Sequence, residues 1–109
     1  MGITKTEKFT VHQNKIAQLT KAIGHPARVA ILNAIIQRNS CICRELVDEL
    51  PLSQSTISQH LAELKKAGLI KGTISGPSTC YCINDEVWAD ARLLLKEFMD
   101  SYTAMSSCC

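Results

Sequence analysis

Aromatic residues, long apolar runs and net charge are all scarce in this chain of 109 residues. Because only 5% of the residues are aromatic, the core has to be built from Leu, Ile, Val and Ala. Such a core favours packed helices over an aromatic-rich sandwich or barrel. No apolar run approaches the roughly 18–20 residues of a membrane-spanning helix, and residues 1–8 lack the apolar segment of a signal peptide. We therefore expect one cytoplasmic domain.

The net charge is only +2, but the charges are unevenly distributed along the chain. Residues 53–84 hold three Lys against one Glu, whereas residues 85–109 hold five acidic residues against two basic ones. A positive middle segment can face phosphates while an acidic C-terminal segment faces elsewhere. This distribution is compatible with nucleic-acid binding, although most charge clusters are simply solvated surface.

Cysteine, in contrast, is abundant, with six residues in a short chain. The cysteines fall into three close pairs: Cys41 and Cys43, Cys80 and Cys82, and Cys108 and Cys109. In a chain without a signal peptide, this number points to metal binding or thiol redox chemistry rather than to a secreted disulfide framework. The two members of one pair do not easily bridge each other, because disulfide geometry is demanding at such short separations.

Apolar residues spaced three and four apart predict helices along most of the chain. Pro26 suits the first turn of the second helix, because its φ is already set. Ser40 is a candidate N-cap for the third helix, and Asp85 is expected to cap the last one. The predicted helices cover about 8–22, 26–38, 43–50, 54–67 and 85–105.

The fourth of these helices has two distinct faces. Ile57, Leu61 and Leu64 form a narrow apolar stripe, Ser53 is a good N-cap, and Gly68 stands where a left-handed residue is wanted after the helix. Short uncharged polar side chains on the opposite face suit the reading of base edges in a major groove. These side chains are Gln54, Ser55, Ser58 and Gln59.

Two neighbouring features make this helix a candidate DNA reader. A short helix, a tight turn and a second helix form a helix-turn-helix over about 43–67. A strand, a Gly-Pro turn and a second strand follow over about 69–83, which predicts a β-hairpin wing. The sequence thus predicts a mainly α-helical, winged helix-turn-helix domain over residues 1–109. Wide apolar stripes on its first and last helices predict a homodimer formed through those helices.

Three segments, in order and at the right separations, make the chain similar to the ArsR/SmtB family of metal-sensing winged-helix repressors. They are residues 23–32, 52–61 and 64–70, which read IGHPARVAIL, LSQSTISQHL and LKKAGLI. The resemblance implies a homodimer, not an enzyme, that binds operator DNA without metal and releases it when a metal ion binds. Two reading helices about one helical turn apart would then bind a palindrome.

The resemblance also implies which side chains contact the operator. The helix predicted over 54–67 reads bases or adjacent phosphates, and the wing contacts the backbone without carrying sequence information. The predicted DNA contacts are Gln54, Ser55, Thr56, Ser58, Gln59, His60 and Lys71.

The inducer site follows from a Cys-x-Cys at the start of the third helix, which the resemblance associates with arsenite, cadmium and lead sensors. Here the motif is Cys41 and Cys43. As(III) and Sb(III) are soft, three-coordinate ions that favour thiolates, and Cd(II) and Pb(II) also take sulfur-rich shells. Leu46 stands where arsenite sensors have their third cysteine. Cys108 and Cys109 are therefore the preferred source of further ligands.

Cys80 and Cys82 are the competing source, because strand alternation puts both on one face of the predicted wing. Alternatively, Cys80 and Cys82 bind no ion and are simply small, half-buried residues of a strand. Zinc is a less favoured inducer, since residues 85–109 contain no His to build a site on the last helix.

Other functions of the thiols remain open. The same repressor could respond to oxidation or persulfidation, because clustered thiols also form disulfides. Asn33 stands where the family's persulfide sensors have a thiol, which weakens that alternative. A thiol enzyme lacks an obvious pKa-lowering pocket, and structural zinc favours wider Cys spacing than C-x-C.

Overall fold

The computed structural model describes residues 8–47, 49–76 and 78–104. Within these ranges the chain forms five helices and three strands, and none of the helices is long and apolar enough to cross a membrane. The elements are α1 (Val11–Ile23), α2 (Pro26–Arg38), β1 (Ile42–Cys43), α3 (Arg44–Val47), α4 (Gln54–Lys66), β2 (Ile70–Ser75), β3 (Ser78–Ile83) and α5 (Asp85–Asp100).

Local capping sets the start of the first two helices. Thr10 and Gln13 form a capping box in which each side chain accepts a hydrogen bond from the other's backbone N–H. This box starts α1 at Val11, later than the sequence predicted. The His25 Nδ1 accepts a hydrogen bond from the N–H of Ala27 at 3.0 Å and caps α2, whose first turn begins with proline as expected.

The third helix, expected over about 43–50, is shorter than predicted, because Cys43 belongs to a strand and residues 49 and 50 are not helical. Ile42 and Cys43 form β1, which pairs antiparallel with β3 so that Ile42 lies opposite Tyr81. Both side chains are buried, at 1% and 7% exposure, and this burial favours a strand over an additional helical turn. Only Arg44–Val47 is helical, and the expected cap Ser40 instead donates a hydrogen bond to the carbonyl of Cys41.

The predicted wing is confirmed as the hairpin of β2 and β3. Its register runs from Ile70 opposite Ile83 to Ser75 opposite Ser78. The strand order is β1-β3-β2, so β3 is the central strand of a three-stranded antiparallel sheet. Gly68, with φ +84°, takes the left-handed conformation predicted after α4.

The last helix is capped by Asn84 rather than by Asp85. The Asn84 side chain accepts a hydrogen bond from the N–H of Val87 at 3.3 Å. Asp85 lies in the first turn, where its charge is favourable near the positive end of the helix dipole. The helix ends at Asp100, earlier than expected, and none of its side chains is fully buried.

The core lies between α2, α4 and the inner face of the sheet. Ile31, Val47 and Leu64 have no exposed surface. Val87 and Trp88 of α5 pack half-buried against this cluster. Because α4 buries its apolar stripe here, its polar face is left on the outside.

Candidate nucleic-acid interface and cysteine cluster

The N-terminal half of α4 presents an exposed polar surface. Ile57, on the opposite side, is buried at 1% exposure and fixes the orientation of the helix. Thr56 is half-buried, and its Oγ1 accepts a hydrogen bond from the Ser53 Oγ at 2.7 Å, so it supports the N-cap. The other polar side chains predicted here are exposed: Gln54, Ser55, Ser58 and Gln59.

His60 does not fit its expected place among the DNA contacts, because it is buried at 7% exposure. Its Nδ1 accepts a hydrogen bond from the Arg28 Nε at 3.0 Å, and its ring lies 4.4 Å from that of His25. Arg28 also donates to the carbonyl of Ala22 at 3.1 Å. His60 therefore joins α4 to the ends of α1 and α2. Its spacing from Ile57 and Leu61 is the sequence signal for this burial.

The environment of His60 favours its neutral form. Burial lowers the pKa of His60, and the positive charges of His25 and Arg28 lower it further. A neutral ring keeps Nδ1 free to accept the hydrogen bond from Arg28. The position of α4 is thus held by a hydrogen bond that depends on the protonation state of one histidine.

Basic side chains lie near the base of the wing. Lys71 is exposed on β2, directly opposite Cys82 of β3. From α4, the Lys65 Nζ reaches to 3.5 Å from the position that a Cβ on Gly72 would occupy. The wing and α4 therefore carry the positive charges of Lys71 and Lys65 on adjoining surfaces. Such an arrangement suits contact with a phosphate backbone.

Strand pairing places the two Cys-x-Cys segments side by side. Cys43 lies opposite Cys80 in the ladder of β1 and β3, and Cys41, the residue before β1, lies beside Cys82. Two cross-strand disulfides join these pairs, whose Cα atoms are 3.8 and 4.2 Å apart respectively. In this disulfide form, no group of three metal-ligating side chains exists within the described residues.

The four sulfurs lie on the opposite face of the sheet from Ile42 and Tyr81, because side chains alternate along each strand. Cys41 is exposed, whereas Cys80 is buried at 6% exposure. The Cys41–Cys82 pair lines a cavity of about 400 Å³, whose wall also includes Trp88 of α5. The outer disulfide is therefore reachable from solvent, and the inner one lies deeper.

The structure brings together some, not all, of the cysteines considered from the sequence. Cys43 belongs to β1 and Cys41 lies directly before that strand, so the motif directly precedes α3, which begins at Arg44. Their facing partners Cys80 and Cys82 were considered only as competing ligands. The equal spacing of the two segments was the available signal, but β1 had not been recognised. Cys108 and Cys109 lie outside the described residues.

A direct contact connects the cysteine cluster with the predicted reading face. Arg44, the residue after Cys43, donates a hydrogen bond from Nη2 to the Ser58 Oγ at 2.7 Å. A shift of β1 can therefore be transmitted to α4 through the Arg44 side chain.

Comparisons with known proteins agree with this geometry. Residues 25–71 match the family model described as bacterial regulatory protein, arsR family. An HTH-type transcriptional regulator of Methanocaldococcus jannaschii is 42% identical over 73 residues, which cover 66% of this chain and 81% of that protein.

Two further proteins are similar to this chain. The arsenic resistance transcriptional regulator ArsR1 of Pseudomonas putida is 44% identical over 55 residues, which cover 49% of this chain and only 42% of that protein. The structure of HlyU from Vibrio cholerae is 30% identical and covers 84% of this chain and 99% of that chain, with a TM-score of 0.64. On this evidence the chain belongs to the arsR family of bacterial transcriptional regulators and has the winged helix-turn-helix fold.

Proposed function

We propose that this protein is a homodimeric repressor that binds palindromic operator DNA when ion-free and releases it on binding a thiophilic ion. The ion binds through the thiolates of Cys41 and Cys43, and arsenite is the first candidate. The observation that carries the proposal is the bond from Arg44 to Ser58, which joins the residue after the cysteine pair to the reading face.

The proposed DNA contacts use the exposed polar face of α4. Gln54, Ser55, Ser58 and Gln59 read base edges or adjacent phosphates, while Lys71 contacts the backbone. Thr56 contributes by holding the N-cap, through its bond with Ser53. His60 acts from behind the helix, by fixing its position against Arg28.

The proposed dimer covers apolar side chains that the single chain leaves in solvent. Phe9 and Val11 near the start of α1 are 57% and 72% exposed, and Leu93 and Phe98 of α5 are 56% and 50% exposed. An exposed apolar surface of this kind marks a protein interface. A two-fold dimer then presents two copies of α4 to a palindrome, with half-sites about 34 Å apart.

The proposed ion site requires Cys41 and Cys43 as thiolates. Soft As(III) prefers sulfur ligands, and three of them complete its shell. The name of the Pseudomonas putida relative supports arsenite as the first ion to test. Cys108 or Cys109 is the preferred third ligand. Ion binding then displaces β1, and the displacement passes to α4 through Arg44.

An operator duplex is first selected from a random-sequence library with the reduced protein. Fluorescence anisotropy then measures how tightly the reduced protein binds this duplex. Arsenite, antimonite, cadmium, zinc and diamide are compared for wild type, Cys41→Ser, and a truncation that lacks Cys108 and Cys109. We expect arsenite to release DNA from wild type and to release much less from Cys41→Ser. Normal release from a variant without both Cys41 and Cys43 would contradict the proposal.

A further inference from the structure

The core holds the two Cys-x-Cys segments together. Ile42 and Tyr81, which alternate with the cysteines, point into the core and are almost completely buried. Because apolar burial does not depend on the oxidation state of sulfur, these residues keep β1 against β3 when the disulfides are reduced. The facing thiols are therefore positioned to pair again without a search through other conformations.

The pairing uses the sulfurs that the proposed ion site needs. Cys41 is bonded to Cys82, and Cys43 is bonded to Cys80. A disulfide sulfur has no thiolate to offer, and the thiolate is the metal ligand. The ion-binding form and the disulfide form are consequently exclusive states of one cluster.

Oxidation and reduction begin at the outer pair, Cys41 and Cys82. Cys41 is exposed and lines the cavity of about 400 Å³ beside Trp88. Cys82 is half-buried and lies opposite the exposed Lys71 in the register of β2 and β3. The inner Cys80 is buried and lacks direct access to a large reagent.

We propose that Cys80 and Cys82 are redox-control residues, which block the ion site when they are oxidised onto Cys43 and Cys41. Oxidation thus makes the repressor insensitive to the soft ion, and reduction restores its response. The consequence for sensing rests on the proposed function, whereas the pairing of the cysteines does not.

The chemistry needs only a small-molecule disulfide as oxidant. The Cys41 thiolate attacks one sulfur of that reagent, and the first thiolate leaves. The Cys82 thiolate then attacks the Cys41 sulfur of the mixed disulfide and expels the second thiolate. Two electrons pass from the protein to the reagent, and the two protein thiol protons end on the two leaving groups. A second equivalent oxidises Cys43 and Cys80, and a dithiol reverses both steps.

The pairing is tested by alkylation of the full-length chain with iodoacetamide after treatment with oxidised glutathione or with dithiothreitol. Peptide mass mapping follows each cysteine in wild type, Cys80→Ser and Cys82→Ser. In oxidised wild type we expect alkylation of Cys41 and Cys43 to fall at least about tenfold, because disulfide sulfurs are not nucleophiles. In Cys82→Ser, no facing thiol resolves a mixed disulfide on Cys41, so the map should show Cys41 alkylated or carrying glutathione while Cys43 stays paired with Cys80, and Cys80→Ser should have the same effect on Cys43.

The second readout is bound arsenic per protomer after gel filtration with arsenite. Oxidised wild type should lose its bound arsenic, whereas a protein with both Cys80→Ser and Cys82→Ser should lose binding after oxidised glutathione only in the fraction whose Cys41 or Cys43 carries glutathione. For the alkylation measurement only, Cys108→Ser with Cys109→Ser is the control, because it removes two thiols and should leave the protection of Cys41 and Cys43 unchanged. Circular dichroism verifies that each variant folds.

Two results of the alkylation measurement and one result of the arsenic measurement would overturn the inference. One is equal alkylation of Cys41 in oxidised and reduced wild type, and the other is a peptide map with different partners. If reduced wild type binds no arsenite, the proposed function fails, while the peptide map still decides the pairing. Loss of arsenic binding by reduced Cys80→Ser/Cys82→Ser would also count against it, since these residues would then be ligands.

Discussion

Arg44 donates a hydrogen bond to the Ser58 Oγ at 2.7 Å, and this bond connects the residue after β1 with α4. Arg44 is the first residue of α3 and follows Cys43 directly, so its position depends on β1. Ser58 lies on the exposed face of α4.

Replacing Arg44 with Met should weaken the connection between the ion and the DNA. We expect the ratio of operator affinities without and with arsenite to move towards one. A double-mutant cycle of Arg44→Met and Ser58→Ala, measured on the free energy of unfolding, should give a coupling energy of about 0.5–1.5 kcal/mol. The value should lie at the lower end, because the hydrogen bond is exposed. An unchanged ratio in Arg44→Met would show that the response travels by another route.

Gln59→Ala tests the reading face. Loss of a base contact should reduce specific operator affinity by roughly 1–3 kcal/mol and relax the preference at one base position. Gln18→Ala, an exposed glutamine change on α1, is the matched control and should leave binding unchanged. Anisotropy against a panel of single-base operator variants measures both effects. Retention of the full sequence preference by Gln59→Ala would mean that this face does not read the bases.

Lys71→Ala tests the wing. If Lys71 neutralises a phosphate, its loss should weaken binding to all duplexes alike and lower the slope of log affinity against log salt by about one. Lys96→Ala is the control, because Lys96 lies on α5 and is paired with Asp100 at 2.6 Å. A salt slope that stays the same in Lys71→Ala would remove the wing lysine from the interface.

The pH dependence of stability should report on His60. Its folded-state pKa is lowered by burial and by the nearby His25 and Arg28. Below the unfolded value of 6.5, the unfolded chain therefore binds more protons than the folded one, and the free energy of unfolding falls as the pH decreases. The stability is fully present above this pH and is lost progressively below it.

His60→Gln separates this effect from the rest of the chain, because the amide oxygen can still accept from Arg28 but does not titrate. Urea unfolding at about pH 7.5 and about pH 5.5 should show a smaller loss in His60→Gln than in wild type. His12→Gln, an exposed change on α1, should keep the wild-type loss. Equal losses in all three proteins would place the titration elsewhere.

Local signals in the sequence were sufficient for much of the fold. The left-handed Gly68 after α4 and the hairpin around Gly76 follow from turn chemistry. The capping box of Thr10 and Gln13 was readable as T-x-x-Q, but the apolar spacing placed the helix start earlier. Asn84 and Asp85 are adjacent good caps, and only the backbone geometry distinguishes them.

Non-local contacts account for what the sequence did not reveal. A two-residue strand such as β1 is too short for any alternation pattern, and it exists because Ile42 and Tyr81 are buried together. The disulfide partners of Cys41 and Cys43 depend on that pairing. His60 was expected in the groove, because the arginine that satisfies it lies 32 residues away in the chain.

The exposed apolar side chains of α5 give the last prediction. Leu93→Glu places a charge where the proposed dimer buries a leucine, and an unpaired buried charge is strongly unfavourable. Analytical ultracentrifugation should find wild type as a dimer and Leu93→Glu as a monomer at micromolar concentration. Operator affinity should fall with it, since one α4 alone contacts only a half-site. Ile74→Glu, at a wing position that is 83% exposed, should remain dimeric. A monomeric wild type would remove the basis for palindrome recognition, because the two-fold axis that pairs the half-sites would be missing.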